Sequence, residues 1–118
     1  MSKDRHALLG IADAIHAIEQ YTAPFASADE LYAARVNFDA TMMNFVVIGE
    51  MVDRISDAYK TAHPDVDWKQ IKGLRNIIAH DYFGVDAEEL WQIVKKNIPS
   101  LKAVMATLLD SPGKLPRS

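Results

Sequence analysis

Apolar residues recur along this chain at three- and four-residue steps, the period of a helix buried on one face. Leu8, Ile11, Ala12, Ile15 and Ile18 draw the first stripe, on a helix expected over residues 4–21. Tyr21 extends it by one step, and Thr22-Ala23-Pro24 closes the helix, because the residue before a proline avoids helical geometry. Ser27 with Glu30 three residues on is a capping box that opens a second helical segment. That segment meets few breakers before about Ala62, with a bend expected near Arg35 to Asn37. Its middle, MMNFVVIGEM, is apolar on more than one face, as in a helix that is central to its bundle or shared with a partner chain. Gly49 removes a side chain there and admits the close approach of another backbone.

His63-Pro64 stops the long segment, and Asp67 with Gln70 opens a helix from Trp68 to about His80. Gly84 terminates, Asp86 with Glu89 starts again, and Pro99 either kinks that helix or begins a last one through Leu109. Trp68 and Trp91 read as core residues, and no strand signal is sustained. The pattern predicts an all-α fold, an antiparallel bundle of four or five helices, as one domain over residues 1–110 with a flexible tail at 111–118.

Composition narrows the function classes. A hydrophobic share of 49% with 25% charged residues is that of a globular chain, and the absence of cysteine removes disulfides and thiolate metal sites. No apolar run is long enough to span a bilayer, no signal peptide is visible, and a cytoplasmic location is expected. A net charge of −3 argues against coating nucleic acid by bulk attraction. Local charge is uneven. Lys69, Lys72 and Arg75 occupy residues 69–80 with no acid among them, whereas Asp81, Asp86, Glu88 and Glu89 follow without Lys or Arg. An anion site is therefore expected around residues 69–80. His6, His16 and His63 lack ligand spacing, so neither a metal nor any other cofactor is expected.

The stretch LRNIIAHDYFGVD carries the candidate chemistry. Arg75 and His80 stand five residues apart, about 140° of rotation and roughly 7.5 Å of rise on an ideal helix. They do not share a face, but a long arginine and a histidine near a helix end can meet on one phosphate, within one chain or across a two-fold dimer. Arginine holds phosphate with a planar fork and stabilises transition-state charge. Histidine can take a proton from a ribose 2′-OH or give one to a leaving oxygen. By spacing alone the commoner reading is that both simply cap and solvate a helix end. Asn76 can orient His80 from four residues away or face solvent, and Asp81 can fix the His80 tautomer or cap the helix. Lys69 and Lys72 are candidate phosphate contacts, and Gly73 is expected to clear room for a close chain or a ligand backbone beside Arg75. Glu50 and Asp53 read as a solvated flank of the long helix.

Arg75, four residues, His80, one residue, Tyr82 is a pattern that resembles the HepT-like proteins, a branch of the HEPN superfamily. The similarity extends from Ile48-Gly49-Glu50 through Pro64 to Trp68 and Gly73 to Asp86, and on to Trp91 and Pro99. The resemblance implies an all-α, dimeric ribonuclease toxin that cleaves RNA without a metal, with Arg75 and His80 as catalytic pair. It also implies a minimal nucleotidyltransferase antitoxin that transfers AMP to the motif tyrosine, here Tyr82. Residues 42–52 are expected in the core and at the dimer contact. The alternative is a non-catalytic module that binds a nucleotidyltransferase or nucleotides and cuts nothing.

Overall fold

The computed structural model describes residues 2–76 and 86–110, and all regular structure in them is helical. Helix α1 (Lys3–Thr22) starts at Ser2, whose hydroxyl accepts from the Arg5 N–H at 3.0 Å. Its inward stripe is Ala7, Leu8, Ile11, Ala14, Ile15, Ile18 and Thr22. The expected stripe thus ends on Thr22 rather than Tyr21. The Thr22 hydroxyl is satisfied by donating to the Ile18 carbonyl at 2.8 Å, whereas Tyr21 lies at the surface.

The segment after Pro24 is three helices, not the nearly continuous one expected. Helix α2 (Ala28–Ala33) has Ser27 as its cap, and Glu30 reaches back to the Ala26 N–H at 3.3 Å. The chain then breaks at Ala34, whose ψ of 77° leaves the helical region, just before the bend expected at Arg35 to Asn37. Helix α3 (Arg35–Asp53) follows and ends in a turn at Arg54–Ser56 that no glycine or proline announces. Ser56 instead starts helix α4 (Asp57–Ala62), its hydroxyl accepting from the Tyr59 N–H. That turn is tied to α1, because Asp4 accepts from both the Ser56 N–H at 2.7 Å and its hydroxyl at 2.9 Å.

Helix α4 stops at His63 as the proline predicts. His63 is buried, stacks on Tyr59 with ring centres 4.2 Å apart, and sets its Nδ1 3.0 Å from the Tyr59 carbonyl oxygen. It is a core histidine. Asp67 caps helix α5 (Trp68–Gly73) through the Gln70 N–H, and Trp68 Nε1 donates to the His63 carbonyl. The helix expected to reach His80 changes character early: Leu74 and Arg75 bond three residues back, to Ile71 and Lys72. Residues 77–85 and 111–118 lie outside the described part, and with them the expected course of the helix to His80, the Gly84 stop and the tail.

Asp86 caps helix α6 (Ala87–Gln92) by accepting from the N–H groups of Glu88 and Glu89. The kink-or-restart question at Pro99 has a third answer. Residues Ile93–Asn97 form a widened turn in which the Ile98 N–H bonds to the Ile93 carbonyl, five residues back. This turn carries the chain without interruption into helix α7 (Ile98–Leu109), with Pro99 in its first turn, where the missing N–H costs nothing.

Helices α1 and α3 lie antiparallel, Gly10 beside Met51 at one end and the Tyr21 carbonyl accepting from Asn37 Nδ2 at the other. Helix α7 runs antiparallel to α1 on another flank, with Lys102 paired to Glu19 and Arg5 donating to the Leu109 carbonyl. Helix α5 packs on α3, and α2 on α6. One core unites them, with Leu8, Ile11, Ile15, Phe38, Phe45, Ile48, Leu90 and Met105 almost wholly enclosed. Both tryptophans are in it, as expected.

Candidate active site

The site grows from the contact of α5 with α3. Ile71 and Leu74 point into the core, so Lys72 and Arg75, one residue further round, come up beside the outer edge of α3. There Gly49 leaves a gap that the Arg75 stem fills. A Cβ built on Gly49 would stand 2.8 Å from Arg75 Cβ and 3.0 Å from its Cδ. Glycine inside a helix costs about 1 kcal/mol relative to alanine, and here that cost accompanies the close seating of one side chain. The expected close approach at Gly49 is therefore real, although the neighbour is a side-chain stem.

Beyond the stem, Arg75 Nη1 donates to Glu50 Oε1 and to Asp53 Oδ2, both at 3.0 Å. Lys72 Nζ lies 2.8 Å from the other Asp53 oxygen. Two cations and two carboxylates thus close a network between the helices. The hydrogen bond from Lys72, aided by the charges of Lys72 and Arg75, holds the Asp53 carboxyl below its ordinary value of 3.8 against the opposing effect of burial. Glu50 and Asp53 are more than the solvated flank expected of them. Acids three residues apart share a helix face, so both can reach the same arginine once α5 is docked beside them.

The geometry leaves part of Arg75 available. The side chain is 32% exposed, and only Nη1 is committed to the carboxylates. Among the described residues Nε–H and the two Nη2 protons have no acceptor, and they form the flat, two-pronged edge that matches an oxyanion. The acids therefore fix the plane of the guanidinium and leave its other edge without an acceptor among the described residues. A phosphate or carboxylate placed there would meet parallel donors that need no reorganisation.

Of the other expected site residues, Lys69 and Asn76 are exposed. Lys72 is spent on Asp53, which turns it from a free phosphate contact into a brace for the network. Within this chain a Cβ on Gly73 would meet nothing within 4 Å, so the space beside it is open. Gly73 is the last residue of α5. His80, Asp81 and Tyr82 lie outside the described residues. No group of histidines and acids that could hold a metal ion occurs among the described residues, and no described helix is long and apolar enough to cross a membrane.

An all-α bundle that presents one face of a pinned arginine next to an Arg–His–Tyr pattern is a frame of HEPN type. The family model for "Ribonuclease HepT-like" proteins matches residues 11–108, a range that includes Arg75, His80 and Tyr82. The chain belongs to that family. It is 38% identical over 92 residues to the "Probable ribonuclease HepT" of Thermococcus cleftensis, covering 78% of this chain and 83% of that protein. It is 30% identical over 115 residues to a Methanocaldococcus jannaschii protein named "Gamma-glutamylcyclotransferase and putative RNase", covering 97% of this chain but 51% of that longer one. No solved structure gives a significant match.

Two outcomes test the network. Gly49→Ala should push the Arg75 stem off α3 for a net loss of roughly 1–2 kcal/mol in urea unfolding. Gly10→Ala, whose added carbon meets the far end of the flexible Met51 side chain, should be nearly neutral, and equal effects at the two glycines would refute the close seating of Arg75. The second concerns pH. Asp53 has its folded value lowered, so its contribution is present above pH 3.8 and lost as pH falls through the folded value. Asp53→Asn should cost about 0.2–1 kcal/mol at neutral pH, as for an exposed pair, and flatten the acid-side decline in stability. Parent and variant with identical acid-side curves would speak against the pairing.

Proposed function

We propose that this chain is an endoribonuclease toxin that cleaves RNA through Arg75 and His80. The observation that carries the reading is the uncommitted Nε–Nη2 edge of Arg75, on a guanidinium that Glu50 and Asp53 hold in place. On that edge the scissile phosphate is gripped and its growing negative charge is met. His80 moves protons: one imidazole takes the 2′-OH proton as the 2′-oxygen attacks phosphorus, and a protonated imidazole gives one to the departing 5′-oxygen. The products are a 2′,3′-cyclic phosphate and a free 5′-OH, and no step calls for a metal ion. The ribonuclease names of the relatives support the substrate class.

The reading includes a homodimer, in which two copies of the motif share a cleft. Its support is the outer face of α3. Val36 (79% exposed) and Met43 (61% exposed) continue through Ala40 and Val47 at three- and four-residue steps to Glu50, beside Arg75. Within residues 42–52, Met42, Phe45, Ile48 and Val52 turn inward while Met43 turns out, matching a helix that serves both a core and a partner. The nucleotidyltransferase antitoxin belongs to the reading as well. AMP on Tyr82, two residues from His80, would add bulk and negative charge where RNA phosphate binds.

Cleavage of a mixed-sequence RNA by the purified chain, separated on a gel, is the direct test. Arg75→Ala and His80→Ala should each lower the rate by at least a hundredfold while leaving the thermal midpoint within a few degrees of the parent. Wild-type protein that cuts no RNA, yet binds ATP or a nucleotidyltransferase, would instead support the non-catalytic module. For the dimer, Met43→Glu should convert a dimeric light-scattering mass to a monomeric one and abolish cleavage; a parent that is already monomeric and active would dismiss the shared cleft.

A further inference from the structure

The charges at Arg75 cancel. Lys72 and Arg75 face Glu50 and Asp53, two against two, so this corner orients a phosphate without drawing a polyanion from solution. With a chain of net charge −3, long-range attraction must come from cations that are not already neutralised. The chain supplies such a group immediately beyond Asp53.

Lys3, His6 and Arg54 line one shallow cleft of about 450 Å³ between the start of α1 and the end of α3, with Ala7 and Met51 as its apolar wall. No acid lines it. Among the described residues neither Lys3, His6 nor Arg54 enters an ion pair or a side-chain hydrogen bond. The two nearest acids in sequence are turned away and occupied. Asp4 spends both oxygens on Ser56, and Asp53 spends both on Lys72 and Arg75. Arg54 directly follows Asp53, so its Cα lies about 3.8 Å from that of the residue that pins Arg75. Cleft and arginine corner therefore stand at the same end of α3, on neighbouring faces about 100° apart. The groove between α5 and α7, of about 270 Å³, is a poorer anion site, because Asp65 and Asp67 stand in its wall.

We infer that the Lys3–His6–Arg54 cleft is a second phosphate subsite, which binds the RNA backbone a short distance from the scissile phosphate at Arg75. The inference rests on the ribonuclease reading and deepens it. Arg75 orients the reacting phosphate, and the cleft supplies the attraction that the balanced corner lacks. Flexible lysine and arginine with an imidazole between them, and no fixed donor array, suit a sequence-independent backbone contact. A substrate long enough to occupy both places should bind more tightly than one that reaches only Arg75.

The test uses the full chain with His80→Ala to prevent cleavage, and two probes, an oligouridylate of about twelve nucleotides and the dinucleotide UpU, titrated between about 50 and 200 mM salt. Adding Lys3→Gln and Arg54→Gln should weaken oligouridylate binding about tenfold at the lower salt and reduce its log–log salt slope by about 1.4, two contacts at roughly 0.7 each. Binding of UpU and the thermal midpoint should not change. An unchanged oligouridylate affinity and slope would overturn the subsite while leaving the ribonuclease reading intact, and so would equal losses for both probes. Failure of the parent to bind either RNA would overturn both.

Discussion

Arg75 is anchored twice, by its stem against Gly49 and by its Nη1 between Glu50 and Asp53, and the chemistry available to the site depends on that anchorage. Neither anchor is a large source of stability. Partly exposed ion pairs contribute about 0–1 kcal/mol each, and the core built on Phe38, Phe45, Ile48 and the α1 stripe is what holds α3 in place. What the anchors supply is direction. A free arginine samples many rotamers, and immobilising it on a ligand opposes binding by roughly 0.5–1.5 kcal/mol. Here the protein has already fixed the side chain, with the oxyanion-matching edge uncommitted.

That arrangement has an electrostatic consequence. The carboxylates that aim Arg75 also neutralise it, so positioning and attraction are separated in space. The corner of Lys72, Arg75, Glu50 and Asp53 is balanced, whereas the cleft of Lys3, His6 and Arg54 is not. In the proposed reading, a polyanion is recruited by the second and oriented by the first. The same division explains how a chain of net charge −3 can act on RNA without coating it.

Helix positions were legible in the sequence because caps and period are local properties. Ser2 and Ser56 apart, the capping residues Ser27, Asp67 and Asp86 were all visible as Ser or Asp three residues before a polar partner, and each is used. The break at Ala34 falls one residue before the bend expected there, whereas the break at Arg54–Ser56 was not legible, since it has no glycine or proline and is tied by Asp4 from α1. The widened turn before Pro99 is likewise a compromise between a proline and the continuous packing of α6 and α7. At the site, the importance of Arg75 could be read from its pattern with His80 and Tyr82. The roles of Glu50 and Asp53 could not, because the register of α5 against α3 decides which acids an arginine meets.

The most direct measurement is a crystal structure of the full chain with a dinucleotide lacking the 2′-OH at the scissile position, so that it binds without being cut. The account predicts the phosphate within hydrogen-bonding distance of Arg75 Nε and Nη2, with Nη1 still on Glu50 and Asp53. A phosphate bound away from Arg75, or an arginine that has let go of both carboxylates to reach it, would contradict the claim that the acid pair presents this side chain to its ligand.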